Sequence, residues 1–324
     1  MNRAIAVISF LTLLQMGPAS AQQADCNRAC LNDALMGYMN AVVANTPQDA
    51  NLIAGFRQTE NAIVKPLGRG TWESVTGLGD VQRQFLDPVT GQAAYFGLVD
   101  ESGQPAVVTA RVRVVNRQIT EAEWYIARRG DPGIQGEPAA DGSGANLYDP
   151  DNLRANPPPE RNVPRGQRLS RESLLGIANS YFDAITSRNG EVMLSHSDCI
   201  RLENGVTVTG RPMPEGTTDF NNNGTTTCNS GIGPGSRLNI NFVAARKYPI
   251  IDEQQQVVMA TGVFMRFPNS ENRRNGLSEY FYIEDERISE VYAAMFYPAP
   301  DQPIPNWPPY DGNYPLPPDF GATR

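Results

Sequence analysis

The single histidine of the chain, His196, stands two residues from a carboxylate in the run His196-Ser197-Asp198-Cys199-Ile200-Arg201-Leu202-Glu203. On a strand, side chains alternate between faces, so His196, Asp198 and Ile200 share one face while Arg201 and Glu203 share the other. A histidine beside a carboxylate can act as a general base and its orienting partner, the chemistry that moves a proton next to a carbonyl. The plainer reading makes His196 a surface histidine and Asp198 a turn cap beside a disulfide. Arg201 and Glu203 read as an ordinary cross-strand ion pair. Other chemistries are excluded by what is missing. One His and four Cys cannot build a His-rich metal centre or a zinc site. Asp219-Phe220-Asn221-Asn222-Asn223-Gly224 opens like a calcium loop, but Ser230 occupies the position where a bidentate Glu is required, so a polar Asn-Gly turn is expected and no metal. Gly231-Ile232-Gly233-Pro234-Gly235 lacks a following helix and carries a proline, which argues against a nucleotide cradle; no cofactor is expected. With Lys+Arg 27 against Asp+Glu 35 and a net charge of -8, nothing favours nucleic acid as a partner.

The elements that must position these residues begin after an address. Met1 to Ala21 has one charge, Arg3, an apolar stretch from Ala4 to Leu14, and the small triplet Ala19-Ser20-Ala21, the pattern of a secretory signal peptide cleaved after Ala21. The apolar stretch falls well short of the ~20 residues needed to span a bilayer, so no membrane span is expected. The predicted location is secreted or periplasmic. There an even count of cysteines pairs up, and Cys26, Cys30, Cys199 and Cys228 allow three connectivities. Cys26–Cys30 with Cys199–Cys228 is favoured, because each bond then staples one local region. No C-x-x-C redox motif is present.

The chain of 324 residues is long enough for about two domains, and it repeats itself. Tyr38-Met39-Asn40-Ala41-Val42 returns as Tyr181-Phe182-Asp183-Ala184-Ile185, and Glu60-Asn61 as Glu203-Asn204, both at an offset of 143 residues. Gly68-Arg69 matches Gly210-Arg211, Leu86-Asp87 matches Ile251-Asp252, and Ile119-Thr120-Glu121 matches Ile288-Ser289-Glu290. Each copy starts with an amphipathic helix, through Leu31, Leu35, Tyr38, Met39 and Val42 in one and Leu174, Ala178, Tyr181, Phe182 and Ile185 in the other. Strands follow at 94–99, 106–115 and 118–127, then at 238–244, 256–267, 279–283 and 288–296. Asn116-Arg117 and Asp285-Glu286 are polar turns joining antiparallel neighbours. Between the copies a proline- and glycine-rich stretch reads as an extended linker. Trp307, Tyr310, Tyr314 and Phe320 punctuate a proline-rich tail, which is either disordered or docked along the second copy.

The helix with Y-x-[ND]-A, the Thr59-Glu60-Asn61 and Leu202-Glu203-Asn204 strands, Gly-Arg after them and the closing I-[ST]-E strand resemble the nuclear transport factor 2-like, or SnoaL-like, superfamily. Cys26-Asn27-Arg28-Ala29-Cys30-Leu31, Gly70-Thr71-Trp72, Asp198 to Gly205 and Arg246-Lys247-Tyr248-Pro249 carry a closer resemblance, to exported proteins with two such units in tandem whose function is unknown. The resemblance implies an α+β fold of two cone-shaped units, each with helices on a curved, mostly antiparallel sheet, joined as an intrachain pseudo-dimer and therefore expected to be a monomer. The expected division is a signal peptide 1–21, a first unit 22–129, a linker 130–167, a second unit 168–297 and a tail 298–324. Each cone implies an apolar pocket, for which Trp72, Tyr181 and Arg201 are the expected ligand-binding residues, with His196 and Asp198 as the catalytic pair. The functional expectation is an exported protein binding a small apolar organic molecule, with lyase, hydratase or isomerase chemistry open to it. The alternative is a noncatalytic structural or interaction module of the cell envelope, because this fold hosts both.

Overall fold

A computed structural model describes residues 26–209, 227–230, 232–233 and 239–306. The signal-like segment, the Asp219–Gly224 loop and the tail aromatics lie outside the described residues. The first unit runs α1 (Arg28–Val43), β1 (Leu52–Glu60), β2 (Ile63–Lys65), α2 (Thr71–Ser74), β3 (Gly77–Asp87), β4 (Gln92–Glu101), β5 (Gln104–Val115) and β6 (Gln118–Ala127). After α3 (Pro150–Ala155) the second unit runs α4 (Arg171–Ser187), β7 (Ser195–Glu203), β8 (Val206–Thr209), β9 (Ile240–Asp252), β10 (Val257–Arg266), β11 (Asn275–Glu284) and β12 (Arg287–Phe296). The sheets have the same topology, β2-β1-β6-β5-β4-β3 and β8-β7-β12-β11-β10-β9. In each, the first strand pairs parallel with the last and every other pairing is antiparallel. The fold is α+β, two tandem units forming a pseudo-dimer.

Local chemistry explains why the copies fold alike. Asn27 caps α1 by accepting from Cys30 N (3.0 Å), and Ser170 caps α4 by accepting from Ser173 N (3.1 Å). Asn116 and Arg117, and at the matching turn Asp285 and Glu286, all have positive φ, the tight-hairpin geometry expected there. The recurring Asn after Glu60 and Glu203 has one duty in both copies. Asn61 brackets the Ile126 backbone with bonds of 2.9 and 2.8 Å, and Asn204 brackets Met295 with bonds of 3.0 and 2.8 Å. Both disulfides are the local pairs, Cys26–Cys30 and Cys199–Cys228.

The connecting stretch is more structured than its composition suggests. Pro150 sits in the first turn of α3, capped by Asp149, and Leu153 is fully buried. Asp149 N donates to Asn204 O (2.9 Å), and Asn146 Nδ2 donates to Met295 O (2.9 Å), so the segment lies along the second unit. Gly205 makes this docking possible: its φ is +87°, and a Cβ there would lie 2.0 Å from Asp149 O.

Each sheet has two apolar faces. One is covered by the unit's own helix, in the first unit with Leu31, Leu35 and Tyr38 against Ala106, Val108 and Ala110. The other is covered by the opposite sheet, through Phe85, Phe96 and Tyr125 of the first unit and Met259, Tyr280, Tyr292 and Phe296 of the second. Phe85 and Tyr280 stack with centroids 4.5 Å apart. Thr109 and Ser278, which hold the same position in β5 and β11, hydrogen-bond to each other at 2.7 Å and so mark the pseudo-twofold axis. Two buried ion pairs obey the same symmetry. Arg28, at the start of α1, grips Asp252 of the other unit with bonds of 2.7 and 3.0 Å, and Asp252 also accepts from Leu86 N (2.9 Å). Arg171, at the start of α4, likewise grips Asp87, which accepts from Ile251 N (3.0 Å). This is a self-complementary interface of the kind a symmetric dimer uses, closed within one chain.

Both aspartates are fully buried, so removing one leaves its arginine without a counter-charge and several backbone amides without a partner. Asp252→Ala is expected to cost ~3–5 kcal/mol in urea unfolding, and Asp87→Ala a similar amount.

Candidate functional site

The two cones are filled differently. In the first, Trp72 packs edge-on against Tyr38 at 5.5 Å, and its Nε1 donates to Gln58 Oε1 (2.7 Å). Trp124 Nε1 donates to Tyr38 Oη (2.9 Å). Both indoles are 1% exposed. Trp72, expected as a ligand-binding residue, is thus built into an aromatic plug with its polar atom satisfied.

Strand register shows what replaces this plug. Glu60 lies beside Trp124, and Trp124 opposite Ala110; Glu203 lies beside Ala293, and Ala293 opposite Glu279. So where the first unit has Gln58, Ala110 and Trp124, the second has Arg201, Glu279 and Ala293. An indole has become a methyl group, and a charged pair has entered the apolar face. On this face of the second unit, Arg201 lines a cavity of about 80 Å³. Tyr181, Ile185, Phe264 and Met295 form its apolar wall, and Arg201, Glu203, Arg266 and Asn275 its polar wall. Ile134 and Leu147 from the connecting stretch help to close it.

Arg201 is the centre of the polar wall. Its Nη2 donates to Glu279 Oε1 (2.6 Å) and to Glu203 Oε1 (2.9 Å), and its guanidinium lies 4.9 Å from the centroid of the Tyr181 ring. Glu279 sits behind it, fully buried. Burial pushes the Glu279 carboxyl up to about 7; Arg201 opposes the shift and the charge of Glu203 adds to it. Among the described residues, Arg201 Nε, Glu279 Oε2 and Tyr181 Oη are buried without a hydrogen-bond partner. Three such atoms at one place are costly, at ~1–3 kcal/mol each. Arg266 is held by Arg273 O (2.9 Å) and Asn275 Oδ1 (2.7 Å).

The structure brings Tyr181 and Arg201 together and leaves the other expected site residues elsewhere. Ser195 lies opposite Ile288 and Ile200 opposite Glu290, so β7 bulges across His196 and Asp198. His196 Nε2 is 2.9 Å from Glu284 O, Asp198 is exposed, and neither lines the cavity. Beyond the bulge, alternation holds: Ile200 packs between the sheets while Arg201 and Glu203 face the cone. Glu279 and Arg266 escaped the sequence reading. A signal for Glu279 exists, since Leu277, Glu279, Phe281 and Ile283 share one face and only one of them is charged.

The two units thus share a topology but differ inside, with an aromatic plug in the first and a cavity in the second. Residues 167–295, the second unit, match the model of a domain of unknown function (DUF8021). Among solved structures, an NTF2-like protein of unknown function from Cytophaga hutchinsonii is similar at 13% identity over 30% of this chain and 89% of that chain, with a TM-score of 0.26. Comparison with curated proteins finds no match.

A carboxyl that is raised on folding binds its proton more tightly in the native state, so its contribution to stability is full below about 4.5 and lost as pH rises towards 7. Glu279→Gln is expected to flatten this dependence and to stabilise the protein at pH 8, by on the order of 3 kcal/mol at ~1.4 kcal/mol per unit, read from unfolding curves between pH 4 and 8.

Proposed function

We propose that the protein is exported and that its second unit binds one small, largely apolar organic molecule in the cavity between Tyr181 and Arg201, the first unit serving as its structural half. The carrying observation is the asymmetry. The cone is filled by Trp72 and Trp124 in one copy, whereas in the other Ala293 stands at the Trp124 position and a cavity is lined in part by buried polar groups lacking partners. A purely structural module of the cell envelope gains nothing from a cavity and pays for it in lost packing. Export draws support from the Met1–Ala21 pattern and from two disulfides, which persist in oxidising compartments. Among the described residues no helix is long and apolar enough to cross a membrane. Lyase, hydratase or isomerase chemistry at His196 and Asp198 draws no support from the cavity, so binding is the reading adopted.

The test is ligand-observed NMR with butan-1-ol and benzyl alcohol. Saturable binding at one site is expected, weakened at least about tenfold, ~1.4 kcal/mol, by the filling variant Ile240→Trp and unaltered by His196→Ala. Absence of binding, or equal binding by the filled variant with a native melting profile, would sink the pocket reading in favour of the structural module.

A further inference from the structure

Resting on that reading of the cavity, we propose that its ligand is a small monocarboxylic acid with an apolar body, held as the carboxylate against Arg201. Arg201 is 7% exposed and lines the cavity, yet only Nη2 of its three nitrogens carries a bond, while Nε has no partner among the described residues. A guanidinium is a rigid planar fork that suits a carboxylate, and here Nε is unused while Nη2, which both edges of the fork share, is held by Glu203 and Glu279 and would have to be released for two parallel bonds. The Tyr181 hydroxyl beside it is a second unpartnered group able to donate.

Charge selects among ligands. The cavity wall carries two guanidinium groups, Arg201 and Arg266, against one lining carboxylate, Glu203. A cation would meet two positive charges, and a neutral alcohol can accept from a guanidinium N–H but brings no charge to pair with it. A monoanion does neither. The apolar wall of Tyr181, Ile185, Phe264 and Met295 accepts the body of the molecule. The first cone, with Gln58 and Ala110 at the matching positions, lacks this charge pair.

Glu279 sets the condition. It already engages Arg201, so an arriving carboxylate competes with it for the same guanidinium. The charged groups that act on it are Arg201 and Glu203 from β7, while Arg266 from β10, Tyr181 from α4 and Tyr297 just past β12 line the cavity in front of Arg201. Placing a third carboxylate beside Glu203 and Glu279 is offset most directly by a proton on Glu279, which burial pushes up to about 7. Binding therefore takes up a proton from solvent, and affinity falls roughly tenfold per pH unit above 7.

Isothermal titration of the full chain with butanoate, butan-1-ol and butylamine tests this. Butanoate is expected to bind at one site at least about tenfold tighter than butan-1-ol, and butylamine not to bind. At pH 7.5, heats in buffers of different ionisation enthalpy should report proton uptake, which Glu279→Gln abolishes. Arg201→Met should lose butanoate but keep butan-1-ol, which also shows that it folds, and Arg201→Lys should keep butanoate at reduced affinity. Butan-1-ol binding as tightly as butanoate overturns the acid while leaving the pocket standing. No binding by any of the three overturns both. Butanoate held undiminished by Arg201→Met, or bound without proton uptake, overturns the assignment to Arg201 and Glu279 respectively.

Discussion

Everything in this molecule depends on each curved sheet having two apolar faces and only one helix. The uncovered face must find a partner, and the partner is the other sheet. Fully buried aromatics such as Phe85, Phe96 and Tyr280 supply most of that association, at ~1.5–3 kcal/mol each. The Arg28–Asp252 and Arg171–Asp87 clamps add less net energy, because desolvation offsets their attraction. What they contribute is register: each ties the start of one unit's helix to a backbone bend of the other, and a slipped interface would strand two buried carboxylates.

Once two copies share one chain, their interiors are free to diverge while their contact faces are held. The interface keeps Thr109 against Ser278 and pairs the two ion clamps symmetrically. The cones do not. A tyrosine, Tyr38 or Tyr181, stands in each, but the first is filled by Trp72 and Trp124 and the second holds a cavity beside the buried Arg201–Glu279 pair. A charged pair on an otherwise apolar face weakens the core locally, and such departures mark functional sites in proteins that otherwise obey packing rules.

Much of the architecture was legible in the sequence because it was written twice. The helix stripes, the Asn116-Arg117 and Asp285-Glu286 turns and the recurring Asn61 and Asn204 all do what their residue types suggest. β3 escaped because Gly77-Leu78-Gly79-Asp80 and the Gln and Arg after it offer no clean alternation. β9 runs past the expected end at Ala244, through Pro249 to Asp252; an edge strand tolerates a proline, and the pairing to β10 is irregular there. The site was harder still. Alternation put Arg201 and Glu203 on the right face, but the bulge that carries His196 and Asp198 away from the cone depends on pairing with β12, which no local pattern reveals. Glu279 becomes meaningful only when the register of five strands places it behind Arg201.

Through the sheet-to-sheet interface the two units form one cooperative body. Native-state hydrogen exchange in graded urea tests it most directly, because it reads the opening free energy of each strand separately. The account predicts that the central amides of β4 and β5 and those of β10 and β11 converge on a single free energy and a single urea dependence. If the strands of one unit instead exchanged through a lower-energy opening that left the other protected, the units would be independent folds merely joined, and the account would be wrong.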